Sequence, residues 1–206
     1  MSTTVNITET VNLVTLTVTE DGESTTINIK DNVGPQGPQG PAGAGFLGNG
    51  FIDYNNTDSP TSITADTWTT LPNDGLGAFS NSTYAPTGVS QFIDTSTGAI
   101  DVSDLELGDT VLIRNDFSVT PNTNNALLEF RYQLGTGAGA YTLETVMGRL
   151  DDGSGKAYRF ALKPDLIYMG DANTRDNPIS LQIRLSTNGT VSNAGSVIQL
   201  IRKQDD

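Results

Sequence analysis

Between residues 34 and 43 the chain reads GPQGPQGPAG, with glycine at Gly34, Gly37, Gly40 and Gly43 and proline directly after three of them, at Pro35, Pro38 and Pro41. Only glycine fits at the crowded axis of a triple helix of polyproline II strands, and one such strand alone makes no internal hydrogen bonds. A strict period of three is therefore a statement about stoichiometry, because pairing these glycine amides takes two further chains. At about 3 Å per residue the phrase spans roughly 30 Å, a spacer about as long as a small domain is wide. The register is lost beyond Gly43, where Gly45, Gly48 and Gly50 no longer keep the period. A stiff Pro/Gly linker of the same composition is the other reading of this stretch.

On the N-terminal side, residues 3 to 30 are rich in Thr, Val, Ile, Asn and Leu. Val5, Ile7, Val11 and Leu13 follow one alternating phase, whereas Val14, Leu16 and Val18 follow the other. Alternation with period two is the signature of a half-buried strand, and the change of phase predicts a bulge near Leu13 and Val14. The turn residues 20–23 and the renewed alternation over 25–30 predict a hairpin from residue 11 to residue 30. Two or three strands of this length cannot bury an apolar face by themselves, so the module over residues 1–33 needs a copy of itself or another protein.

The remainder, residues 46 to 206, consists of short apolar runs cut by Gly, Asn, Asp and Pro. The runs at 67–71, 91–94, 110–114, 126–132, 141–147, 156–162, 179–185 and 196–202 read as strands. In two of them the alternation is clean: Leu128, Phe130 and Tyr132 oppose Glu129 and Arg131, and Ile179, Leu181, Ile183 and Leu185 oppose Ser180, Gln182 and Arg184. Asn188-Gly189 between the last two runs predicts a terminal antiparallel hairpin. No amphipathic helix is evident beyond a single turn at 102–107. The fold class is therefore all-β, an antiparallel β-sandwich of the jelly-roll type.

Composition narrows the chemistry. The 206 residues include no cysteine and no histidine, which removes thiolate nucleophiles, imidazole bases, disulfides and the usual zinc sites. Eleven basic against 24 acidic residues give a net charge of −13, which repels a nucleic-acid backbone. No apolar run reaches the roughly 18 to 20 residues needed to cross a bilayer, and Met1 to Val5 has neither a basic nor an apolar leader segment; membrane insertion and classical export are not expected. The glycine cluster 135–139 lacks the strand–turn–helix context of a dinucleotide loop, and 152–156 lacks the first glycine of a phosphate loop. Asp151, Asp152, Asp165 and Asp171 supply carboxylates without a spacing that pairs them for glycoside hydrolysis or groups them for calcium. No cofactor and no enzymatic activity are expected. Tyr54, Trp68, Tyr84, Tyr141, Tyr158 and Tyr168 are assigned to packing in the core or a subunit interface, with stacking on sugars or anchoring of a protein partner as the alternative.

A Thr-rich β N-terminus, the phrase Gly34 to Gly43 and an all-β C-terminal domain together resemble bacteriophage virion fibres. The last run, 196–202, makes the C-terminal domain similar to the trimeric jelly roll of the tumour necrosis factor and complement globular-head superfamily. That resemblance implies a homotrimer whose last strand lies near the threefold axis, giving Val197, Ile198, Leu200 and Ile201 as trimer-core residues. It implies a virion anchor over 1–33, with Val5, Ile7, Val11, Leu13, Leu16 and Val18 meeting a capsid or tail protein. A collagen-like neck over 34–45 and a head over 46–206 that contacts a host-surface glycan or protein complete the plan. The brevity of the neck favours a head fibre or capsid decoration over a long tail fibre. A bacterial surface or spore-coat protein is the alternative, followed by a glycan-cleaving virion enzyme.

Overall fold

A computed structural model describes residues 3–10, 13–30, 48–89 and 92–203. The chain divides into two compact units, Met1–Gly45 and Phe46–Asp206. The expected neck residues, Gly34 through Gly43 with Pro35, Pro38 and Pro41, lie outside the described residues, as does Val11.

The first unit is a meander of three strands, β1 (Thr3–Thr10), β2 (Leu13–Glu20) and β3 (Glu23–Lys30). β1 pairs antiparallel with β2 from Thr3↔Glu20 to Thr10↔Leu13, and β2 pairs with β3 from Glu20↔Glu23 to Leu13↔Lys30. The phase switch read as a bulge near Leu13 is thus a strand reversal. A reversal and a bulge shift the alternation alike, and only the partner strand tells them apart. The turn from β2 to β3 holds Asp21 at φ 49° and Gly22 at φ 89°, the left-handed pair that a two-residue hairpin loop demands.

The second unit carries β4 (Asn49–Asn55), β5 (Thr61–Ile63), β6 (Thr69–Thr70), β7 (Thr110–Pro121), β8 (Ala126–Leu134), β9 (Tyr141–Leu150), β10 (Tyr158–Ala161), β11 (Asp165–Tyr168), β12 (Ser180–Leu185) and β13 (Gly189–Ile201). One sheet has the order β10-β7-β13-β4, with β11 also on β7 and β5 also on β13; the other has the order β6-β12-β8-β9. The principal strands can be counted one to eight along the chain, with β10 and β11 as two segments of the sixth and β5 an addition beside the eighth. The sheets then read 1-8-3-6 and 2-7-4-5, the jelly-roll order, and every pairing is antiparallel.

This topology corrects the expected terminal hairpin. β12 and β13 are consecutive but lie in opposite sheets: β12 pairs with β6 and β8, and β13 with β4, β5 and β7. The expected strand at 91–94 is reduced, within the described residues, to an isolated bridge of Ile93 with Ile100. One short helix, α1 (Ala172–Asp176), is capped by the Asp171 carboxylate, which accepts from the Thr174 amide at 2.7 Å.

Between the sheets, β7 and β13 contribute Val111, Ile113, Phe117, Ile198 and Leu200, and β8 and β12 contribute Leu128, Phe130, Leu181 and Ile183, all buried. Burying an aliphatic or aromatic side chain of this size is worth about 1.5 to 3 kcal/mol, so these strands are self-sufficient. Phe117 stacks on Phe130 across the sandwich at 6.3 Å, and Tyr132, edge-on to Phe130, donates its hydroxyl to the Ile113 carbonyl at 3.3 Å. Burial pushes the Tyr132 phenol up, so it stays a neutral donor.

Three polar residues are also buried here: Asn115, Asn193 and Ser196. They satisfy one another, Asn115 Nδ2 donating to Asn193 Oδ1 at 3.0 Å and Ser196 Oγ to Asn115 Oδ1 at 2.6 Å, while Asn193 Nδ2 reaches the Pro72 carbonyl at 2.8 Å. The register of β13 on β7 shifts between Asn193 and Gly195, so this network fixes a bulge in the central strand. Gly195 takes φ 137°, and a Cβ there would stand 2.3 Å from the Tyr54 carbonyl oxygen.

Candidate interaction surface

Strand alternation gives the six-stranded sheet a second face, directed away from the sandwich core. Along β13 it turns Ile198 and Leu200 inward, where neither has any exposure, and leaves Val197 and Ile201 on the other side. Of the four residues assigned to a trimer core, Ile198 and Leu200 are therefore corrected: they belong to the chain's own core. A strand with period two cannot present adjacent residues to one neighbour.

Register carries the outward face across the sheet. Leu166 of β11 opposes Leu112 of β7, which opposes Gln199 of β13, which opposes Phe51 of β4. The next row is Tyr168, Thr110, Ile201 and Asn49. Leu166 and Tyr168 are each 59% exposed and Phe51 41%, with the exposed Tyr84 ring stacked on Phe51 at 5.1 Å. These apolar side chains lie together on one face, which makes it a candidate interaction surface.

Toward the other end the face becomes polar. A depression of about 220 Å³ is lined by Asp53, Asn55, Arg114, Asp116 and residues 194–197. Arg114 pairs with Asp116 at 2.5 Å, and Asn55 Nδ2 donates to Asp53 Oδ1 at 3.1 Å. Burial pushes the Asp53 carboxyl up, against the opposing pull of the Asn55 amide and the Arg114 charge. Asn55 Oδ1 is the only buried side-chain polar atom without a hydrogen-bond partner among the described residues. Because it lines this open depression, a donor from water or from a binding partner can satisfy it.

The opposite sheet is occupied with itself. Trp68 lies beneath two guanidinium groups, Arg131 at 4.1 Å and Arg184 at 4.8 Å from the ring centroid. Arg184 pairs with Glu129 at 2.7 Å and Arg131 with Glu144 at 3.2 Å. The other aromatic residues divide. Tyr54 accepts from the Phe92 amide at 3.3 Å and Tyr158 from the Asp152 amide at 2.6 Å, both packed on the core, whereas Tyr84, Tyr141 and Tyr168 are exposed. Asp152 pairs with Lys156 at 2.5 Å and Asp171 caps α1. Among the described residues no group of three or more Asp or Glu side chains is placed to hold a metal ion.

No family model matches the chain, and no curated protein matches it in sequence. Similar solved structures do exist. The Eiger TNF from S. frugiperda is 12% identical over 77% of this chain and 93% of its own, with a TM-score of 0.45. The infectious bursal disease virus Gt strain is 12% identical over 92% of this chain and 41% of its own, with a TM-score of 0.39. Both are distant, and the jelly-roll assignment rests on the strand order above.

Sequence reading missed Phe51, Leu112 and Leu166, and it assigned Tyr84 and Tyr168 to packing although both are exposed. The signal was in the 110–114 run, where Leu112 puts an aliphatic residue on the phase opposite to Val111 and Ile113, so both faces of that strand are partly apolar. In the first unit, Val5 and Ile7 oppose Val18 and Leu16, so these four assigned anchor residues share one face; Leu13 stands opposite Thr10 and Lys30.

Proposed function

We propose that this chain is the subunit of a homotrimeric virion fibre, a head fibre or capsid decoration of a bacteriophage, whose jelly-roll heads associate through the outward face of the six-stranded sheet. The observation that carries this reading is the outward apolar face on which Phe51, Leu166 and Tyr168 are exposed beside the half-buried Leu112 and Ile201. The glycine period of residues 34–43 independently calls for three chains. Each head supplies one copy of whatever surface it displays, and three copies on one tip act together through high effective concentration, so weak contacts to a host-surface glycan or protein suffice. No bond-making chemistry is required of it.

Light scattering of the purified chain tests the assembly: the expected mass is three times the 21.8 kDa of one chain. Leu166→Asp, which places a charge in the apolar row, is expected to lower that mass while the β-sheet circular dichroism is retained. A 21.8 kDa species for the unmodified chain overturns the trimer. Display is tested separately, by asking whether added protein blocks adsorption of the virus that encodes it. Unimpaired adsorption would leave a decorating role and remove the adhesive one.

A further inference from the structure

The three-stranded unit separates its residues by face. On one side, the rows Thr4–Thr19–Ser24, Asn6–Thr17–Thr26 and Thr8–Thr15–Asn28 hold only hydroxyl and amide side chains. They are joined across the strands by Thr19 Oγ1 with Ser24 Oγ at 2.6 Å and by Thr15 Oγ1 donating to Asn28 Oδ1 at 2.9 Å. On the other side lie the rows Val5–Val18–Thr25 and Ile7–Leu16–Ile27, with the row Thr3–Glu20–Glu23 at the turn end of the sheet. Val5, Ile7 and Ile27 are 54%, 66% and 51% exposed. A single sheet leaves such aliphatic rows in water unless something covers them, and a contiguous apolar face of this kind marks an interaction surface.

We propose that the occupant of this face is the same face of two further copies of the chain, so that three sheets close into a three-sided β-prism with Ile7, Leu16 and Ile27 directed inward. The inference rests on the trimer reading. It goes beyond that reading by assigning the anchor residues Val5, Ile7, Leu16 and Val18 to the subunit contact instead of to a capsid or tail protein. Two observations select this occupant. The glycine period begins at Gly34, four residues after β3 ends at Lys30, so the chains that meet in a triple helix deliver three of these sheets to one place. The dimensions also agree. Three strands spaced about 4.8 Å occupy roughly 14 Å, and a triangle of that side sets each sheet about 4 Å from the axis, close to half the ~10 Å separation of packed sheets. The hydroxyl and amide rows then face outward and are the surface left for a virion protein.

The chain has no cysteine, so single cysteines report on proximity without interference. Leu16 sits on the central strand, nearest the proposed axis, and Thr17 is its neighbour on the opposite face. Mild oxidation of the full-length L16C protein is expected to link two of every three chains as a disulfide dimer, independently of protein concentration, whereas T17C stays unlinked. V18C should behave as L16C does and guards against a local folding defect at one position. A trimeric mass with neither L16C nor V18C linked would overturn the prism and return the apolar face to a virion partner. Equal linking of L16C and T17C would overturn it as well, since the faces would then not be distinguished. A monomeric mass would instead sink the trimer reading itself, and the prism with it.

Discussion

The two units of this chain are built from the same alternating strands and differ in what the apolar phase meets. In the second unit, Ile198, Ile183 and Leu128 are sealed between two sheets of one chain. In the first, Ile7 and Ile27 belong to a lone three-stranded sheet and keep more than half their surface. Alternation specifies that a face must be buried, and leaves open whether one chain is enough to bury it. Chain length past the strand decides that: about 160 residues can fold a second sheet over the first, and fewer than 50 cannot.

The largest expected effect that sharpens this contrast lies in the head. Ile198→Ala, deep between the sheets, should lower head stability by about 2 to 5 kcal/mol in chemical denaturation. Gly195→Ala should be of similar size, because its Cβ has no room beside the Tyr54 carbonyl and its φ of 137° is one that alanine resists. Ile27→Ala in the first unit should leave the head transition where it is. A shift of the head transition by Ile27→Ala comparable with that of Ile198→Ala would break the division into two units.

Next in size is the buried polar network. Asn193→Ala strands the Asn115 amide and the Pro72 carbonyl, and is expected to cost about 1 to 3 kcal/mol. Head stability unchanged by this variant would mean the bulge is held by backbone geometry alone. The smallest effect is electrostatic. The hydrogen bond from Arg184 holds the Glu129 carboxyl below its usual range, so the stabilisation from this pair is present above the ordinary glutamate value near 4.5 and is lost as pH falls through the lowered folded-state value. As a partly exposed pair it contributes no more than about 1 kcal/mol. Glu129→Gln should flatten that part of the acid limb in a pH series of thermal melts, and an unaltered limb would assign the acid sensitivity elsewhere.

The sequence made faces legible and left partners hidden. Leu181, Ile183 and Leu185 could be placed inside from alternation alone, and they are inside. The hairpin expected between the last two strands was wrong because alternation is silent on which sheet a strand joins, and in this jelly roll consecutive principal strands, β8 and β9 excepted, go to opposite sheets. The interaction face was half legible: Val197 and Ile201 were picked out, but Ile198 and Leu200 came with them. Leu166 went unnoticed, and Tyr168 was read only as a packing aromatic, because a four-residue strand with apolar residues on both phases carries no period to read. Asn115, Asn193 and Ser196 had no signal at all, since nothing in a lone asparagine marks it as one of a mutually satisfied set.

The pairing of β4 with β13 has a mechanical consequence. The Arg202 amide donates to the Gly48 carbonyl at 2.9 Å, and from there seven residue pairs run between the two strands from Ile201↔Asn49 to Gly195↔Asn55. A pull on the chain that enters the head at the start of β4, along the strand axis, stretches all of these backbone bonds together instead of opening them one after another. A sheet loaded in shear yields only when many bonds fail at once, so a head pulled along this strand would resist detachment as one cooperative unit.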